Sequence, residues 1–210
     1  EVNVRGALAN GVQQHLVDES DNRRVFDVAG VVVEFRIASA GLEVLEIDAL
    51  VVGAGVIGLA KAAGKDPYQY RRMLLEKHPR FIRVLDEAAN KAGWTKPVPA
   101  GRGRGIAIHE SFGTVVAHVA EVSITPNKTL KVHKVVCAID CGQTVNPDTI
   151  RAQMEGCVVF GLTAALYGEI TFNKGRVKQS NFYDYRMLRI NEMPEVEVHI
   201  LDSTEKMGGV

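Results

Sequence analysis

Charge of one sign is missing from this sequence: 25 Lys and Arg are matched by 25 Asp and Glu over 210 residues, a formal net charge of zero. With no block of Lys or Arg standing out against that balance, the electrostatic footprint of a nucleic-acid-binding surface is excluded. Cysteine is scarce, at three residues (Cys137, Cys141 and Cys157). So small and odd a number excludes a disulfide framework and points to a reducing compartment. Long apolar runs are missing too. The longest uncharged one, over 49–60, falls well short of the roughly 20 residues that a membrane-spanning helix needs, so no transmembrane segment is expected. An initiator Met and a leader pattern are also lacking at Glu1, which suggests a processed product or a fragment. What is present is ordinary: 46% apolar and 24% charged residues describe a globular chain of one large or two small domains.

The pattern along the chain is mixed. Residues 11–15 are compatible with a short helix, and 18–24 with a charged turn; 25–37 is β-branched and reads as one or two strands interrupted at Gly30. The clearest helical region is 65–94. Asp66 is placed to cap it with Pro67 at the first position, Tyr70, Met73, Leu74 and Lys77 share one face, and His78-Pro79 breaks it. A second helix then turns Phe81, Val84, Leu85 and Ala88 inward and ends at Gly93. Pro97, Pro99, Gly101, Gly103 and Gly105 read as a connector. Three extended runs follow, over 106–112, 115–124 and 130–140, and then a helix capped by Asn146, started by Pro147 and running to about Leu166. Its inward residues are Ile150, Met154, Val158, Leu162 and Ala165, while Gly156 and Gly161 leave room for close approach. Two more strands are expected over 169–172, with a turn at 173–175, and over 195–201. Strands and helices without strict alternation predict an α+β fold, a mixed or antiparallel sheet packed against helices. The expected division is a short β-containing segment of unknown role (1–61), a helical segment (62–100) and an α+β domain (101–210).

Two chemical signals compete. Gly53-Ala54-Gly55-Val56-Ile57-Gly58 follows an apolar run, the pattern in which a tight turn brings backbone amides and a helix start against a pyrophosphate. It resembles the opening of flavin-dependent oxidoreductases of the two-dinucleotide-binding class. Gly64 and Asp66-Pro67 would stop its helix early, and Asp86, at the distance of a ribose-binding acid, lies on a helix instead of a strand end. No nucleotide is therefore expected there, and an FAD- or NAD-binding oxidoreductase is the alternative reading.

The second signal is distributed. Asp140-Cys141-Gly142, Val145-Asn146-Pro147 and Gln153-Met154-Glu155-Gly156, within a longer stretch over about 62–210, resemble the molybdenum-binding large subunit of the xanthine dehydrogenase and aldehyde oxidase family, isoquinoline 1-oxidoreductase β chains above all. Residues 1–61 do not share the likeness, and 60–64 reads as a seam. The resemblance implies a fragment of a molybdopterin-binding domain from a molybdopterin-dependent oxidoreductase. It also implies molybdenum on a molybdopterin cytosine dinucleotide, hydroxylation with water of an N-heteroaromatic or aldehyde carbon, and electrons leaving through an iron–sulfur small subunit. It leaves the compartment open between cytoplasm and periplasm.

Carried over by motif, Gln153 is the helix amide that hydrogen-bonds the cofactor, a group that donates and accepts without adding charge. Gly142 and Asn146 shape the loop delivering that helix, and Gly156 permits close approach. For Asn146 a plain helix cap, and for Gly156 helix packing, are equally good readings. The resemblance puts the catalytic glutamate in a Gly-Glu-Pro turn directly after Lys206-Met207-Gly208-Gly209-Val210. No catalytic residue is expected among these 210, and the chain is expected to be inactive alone. A third reading is a non-catalytic structural or interaction domain.

The remaining candidates have plainer explanations beside the chemical ones. The three cysteines lack metal-knuckle spacing and read as buried thiols. His109, His118 and His133 fall on successive strands and are assigned no ligand, so no protein-held metal is expected. Arg102 and Arg104 suit either a cofactor phosphate or a basic linker. Phe182, Tyr183, Tyr185 and Arg186 suit either a substrate approach or loop packing.

Overall fold

Alternating apolar residues along three consecutive strands build the centre of the molecule, and each face of those strands finds its own helix. The computed structural model describes residues 59–60, 62–127 and 129–210 in full, and the backbone alone of four strands within 13–49. In chain order the elements are β1 (Gln13–Val17), β2 (Arg23–Val28), β3 (Val31–Ala38), β4 (Gly41–Ala49), α1 (Pro67–Leu74) and α2 (Pro79–Lys91). There follow β5 (Arg102–Ser111), β6 (Thr114–Ile124), β7 (Leu130–Asp140), α3 (Pro147–Leu166), β8 (Phe172–Asn173), β9 (Arg176–Val177), a 3-10 turn (Ile190–Glu192) and β10 (Glu195–Ile200). One sheet runs β1-β2-β3-β4-β5-β6-β7-β10, and β8 pairs with β9 apart from it. Neighbours are antiparallel except β4 with β5 and β7 with β10. The β7–β10 pair is parallel because α3 carries the chain back between them. The fold is the mixed-sheet α+β arrangement that the pattern predicts.

The β5–β6 hairpin closes through Phe112 and Gly113 at φ 50° and 77°, the two left-handed positions of the tight turn that matches strand twist. On one sheet face Ile106, Ile108, Val115, Ala117, Val119, Val136 and Ala138 pack against Val84, Leu85 and Ala88 of α2. On the other, Val122, Val132, Val135, Cys137 and Ile139 pack against Ile150, Met154 and Val158 of α3. Val132 and Val135 share a face although they stand three positions apart, an odd offset. A bulge explains this: Glu121 pairs with Lys134 and Val122 with Val132, leaving His133 as the extra residue. Each fully buried Leu, Ile or Val contributes about 1.5–3 kcal/mol relative to exposure, so the two helix–sheet seams carry the fold.

Several sequence expectations need correction. Residues 13–17 form β1 paired with β2 instead of a helix over 11–15; ladder pairing overrides weak local preference. In α1 the buried residues are Arg71 and the capping Leu75, while Met73 and Leu74 are about half exposed. The connector ends earlier than its glycines suggest, since Gly103 and Gly105 pair with Val122 and Ala120 inside β5–β6. Of 169–172 only Phe172 is in a strand. The caps follow the sequence: Asp66 accepts from Gln69 N at 3.0 Å, and Gly93 sits at φ 63°.

Candidate functional site

The carboxyl end of β7 organises the most constrained part of the molecule. Asp140 closes an otherwise apolar run and is fully buried, a position a carboxylate holds only when its oxygens are all engaged. Arg80 Nη2 donates to Oδ1 at 3.0 Å, Arg83 Nη2 to Oδ2 at 2.6 Å, and the Gly142 amide to Oδ1 at 3.0 Å. Burial pushes this carboxyl up, and the hydrogen bonds from Arg80, Gly142 and Arg83 outweigh it, bringing the pKa down to about 2. The same Arg80 nitrogen also donates to the Gly113 carbonyl at 3.0 Å and the Asp140 carbonyl at 2.9 Å.

Gly142 follows with φ 75°, and a Cβ there would lie 2.3 Å from the Lys206 carbonyl oxygen. Only glycine combines that dihedral with that approach. The chain after β10 is laid over this turn and the β5–β6 hairpin. Gln143 N donates to the Glu205 carbonyl at 3.2 Å, Gly208 N to Cys141 at 2.9 Å and Gly209 N to Phe112 at 3.0 Å. A Cβ on Gly208 would meet Thr114 Oγ1 at 2.3 Å.

From the turn the chain enters α3. Asn146 Oδ1 caps it, accepting from Asp148 N at 3.0 Å and Thr149 N at 3.3 Å, and Pro147 begins the first turn. Gln153 is exposed on α3, and its Nε2 donates to the Val210 carbonyl at 3.3 Å. Gly156 lies one turn on, with no described atom outside its own helix backbone within 4 Å of where a Cβ would be. Beside this strip a pocket of about 400 Å³ opens between α3 and the hairpin, its walls including His109, Thr114, His118, Met154, Cys157 and Val210. Desolvation lowers the His118 pKa to about 4, so this half-buried imidazole is neutral.

The structure thus brings Gln153 and Gly156 to one open face and places Gly142 and Asn146 in the turn and cap leading to it. His109 and His118 share the pocket, whereas His133 is elsewhere, its Nε2 2.7 Å from Ser123 Oγ. Arg102 and Arg104 both clamp Glu121, at 2.6 and 3.0 Å. Cys137 and Cys141 are buried, with the Cys137 thiol pushed by burial up to about 12, but Cys157 is exposed, contrary to expectation. Asp86 is held by Tyr68 at 2.8 Å and Arg72 at 3.0 Å. Phe182 and Tyr183 are exposed, while Arg186 stacks 3.9 Å from the Tyr167 ring centroid and pairs with Glu192. Gly53 to Gly58 lie outside the described residues. Arg80, Arg83 and the role of Asp140 are not legible in the sequence; an acid ending an apolar strand is the only sign. Among the described residues no group of three or more His, Cys, Asp or Glu is placed to hold a metal ion, and no helix is long and apolar enough to cross a membrane.

Comparison with known proteins says which family this mixed sheet, glycine-shaped turn and capped helix belong to. The chain belongs to the molybdopterin cofactor-binding domain family, whose match covers residues 76–194, more than half of it. The β chain of isoquinoline 1-oxidoreductase from Brevundimonas diminuta is 35% identical over 156 residues, 72% of this chain and 20% of that protein. A nicotinate dehydrogenase chain of Pseudomonas putida KT2440 is 32% identical over 161 residues, 68% of this chain and 14% of that protein. Among solved structures, quinoline 2-oxidoreductase from Pseudomonas putida 86 aligns at a TM-score of 0.41 and 21% identity, over 43% of this chain and 12% of that one. The chain therefore spans a fifth or less of these relatives, and it is a partial molybdopterin-binding domain related to molybdenum hydroxylase large subunits.

Proposed function

We propose that this chain is part of the large subunit of a molybdenum hydroxylase that oxidises an N-heteroaromatic or aldehyde carbon with water as the oxygen source and passes the electrons to an iron–sulfur subunit. The observation that carries the reading is the exposed Gln153 amide on a proline-started helix, with the open strip at Gly156 beside it. That strip fits a flat, polar, anionic group: its polar side chain is an uncharged amide, and no described atom occupies the space above the glycine. Isoquinoline and nicotinate in the relatives' names favour a heteroaromatic substrate over an aldehyde. The cofactor we assign is the cytosine dinucleotide form of molybdopterin.

When bound, that cofactor supplies the two-electron chemistry and the oxygen transfer. This chain's own residues bind and orient. Gln153 donates to and accepts from the group at the helix face, and Gly156 lets it approach the backbone. Asn146 holds the helix start, and Gly142 lets the delivering turn close against Lys206. The acid–base group is assigned to the turn following Val210, so turnover belongs to the whole protein.

The test is metal and nucleotide analysis of the full-length protein with its iron–sulfur partner. Stoichiometric molybdenum, a fluorescent oxidised pterin and released CMP are the expected result. The Gln153→Ala protein should retain less cofactor at unchanged melting temperature. Flavin absorption without molybdenum would overturn the reading, and a well-folded protein carrying neither would leave a structural domain.

A further inference from the structure

Both partners of the Gln153–Val210 contact hang on one buried hub. The Gly142 turn that leads into α3 is tied to Asp140. The 205–210 segment is tied to that turn through Gln143 and Cys141, and to the hairpin through Phe112. A single Arg80 nitrogen reaches all of this from α2, donating to the hairpin carbonyl of Gly113, the Asp140 carbonyl and the Asp140 carboxylate. Helix docking does not explain Arg80, because α2 is seated by Val84, Leu85 and Ala88 further along. Arg83 reaches the other carboxylate oxygen from a side chain that is 50% exposed, against 23% for Arg80.

We propose that Arg80 is a positioning residue for the cofactor face: its guanidinium locks the β5–β6 hairpin, the Asp140–Gly142 turn and, through them, the 205–210 segment in the register that presents Gln153. This rests on the molybdopterin reading of the site. One Nη2 amino group held among three acceptors on two elements fixes their spacing, and outer partners that orient a metal's ligands typically change affinity by about 10- to 100-fold.

The experiment uses the full-length assembled enzyme with Arg80→Gln, Arg80→Lys, Gln153→Ala and the Arg80→Gln/Gln153→Ala pair. The readouts are the rate of molybdenum and pterin loss on dialysis and hydrogen exchange at the amides of residues 142, 143, 208 and 209. Arg80→Gln should release cofactor about 10- to 100-fold faster and speed exchange at those amides, with exchange in the α2 core unchanged; Arg80→Lys, which keeps the positive charge beside Asp140 and serves where Arg80→Gln fails to assemble, should show both effects more weakly. The double variant should release cofactor no faster than the faster single one, because both act through the same presented amide. Multiplying effects, or a wild-type release rate in both Arg80 variants, would overturn the proposal. A wild-type protein without molybdenum would sink the functional reading instead, and exchange at the four amides would still decide whether Arg80 sets the register.

Discussion

Replacing Gly142 by Ala places a methyl group where the backbone of residues 205–206 already lies. At φ 75° an L-residue is disfavoured, by about 1–2 kcal/mol. The new Cβ would stand 2.3 Å from the Lys206 carbonyl oxygen and 2.7 Å from that of Glu205, contacts with backbone that no rotamer change relieves. The segment must lift, and with it go the Gln143–Glu205 and Gly208–Cys141 hydrogen bonds, each a net contribution of about 1 kcal/mol. The total loss comes to about 3–4 kcal/mol. Urea denaturation followed by circular dichroism reads it as a lower midpoint at constant slope. Gly156→Ala is the matched comparison, since it adds the same methyl to open space in a helix and should stabilise by about 0.5–1 kcal/mol. In the cofactor-bearing protein it should nevertheless weaken cofactor retention. A Gly142→Ala protein within about 0.5 kcal/mol of the parent would refute the account of the turn.

Three further outcomes are expected. His118 is a half-buried neutral imidazole with its pKa lowered to about 4, so the unfolded chain binds more protons below pH 6.5; stability should fall as pH drops from about 6.5 towards 4, and His118→Gln should remove part of that slope, the rest coming from His133 and, near 4.5, from Glu121, Glu192 and Glu197. Asp140 acts in a lower window, its contribution present above 3.8 and lost as pH falls through about 2. Native thiol labelling should modify Cys157 and spare Cys137 and Cys141 until unfolding, as mass spectrometry of the alkylated chain would register. Leu85→Ala should destabilise by about 2–5 kcal/mol in the same urea assay, because its side chain is fully buried in the α2 seam.

Local rules carry far along this chain and stop at identifiable residues. The caps at Asp66 and Asn146 are readable because a side-chain oxygen before a proline-started helix serves amides only a few residues away. Strand extents in β6 and β7 are readable from alternation, and the bulge at His133 is not, because one inserted residue leaves composition unchanged. Arg71 is buried while Met73 is about half exposed, since the docking angle of a short helix is set by its neighbours. Cys157 reads like the other cysteines until α3 is placed with that side at the open pocket.

Element types, the α+β class and the family are written in the order of residues along the chain, through motifs whose meaning lies in contiguous positions. The folded arrangement adds what no local pattern holds: that Asp140 is the buried hub, that Arg80 reaches it together with the hairpin, and that Gly142 must be glycine because of residue 206. The physical reason is separation along the chain. Arg80 and Asp140 lie 60 residues apart, and a buried charge declares its partners only once the low-dielectric interior that demands them has formed.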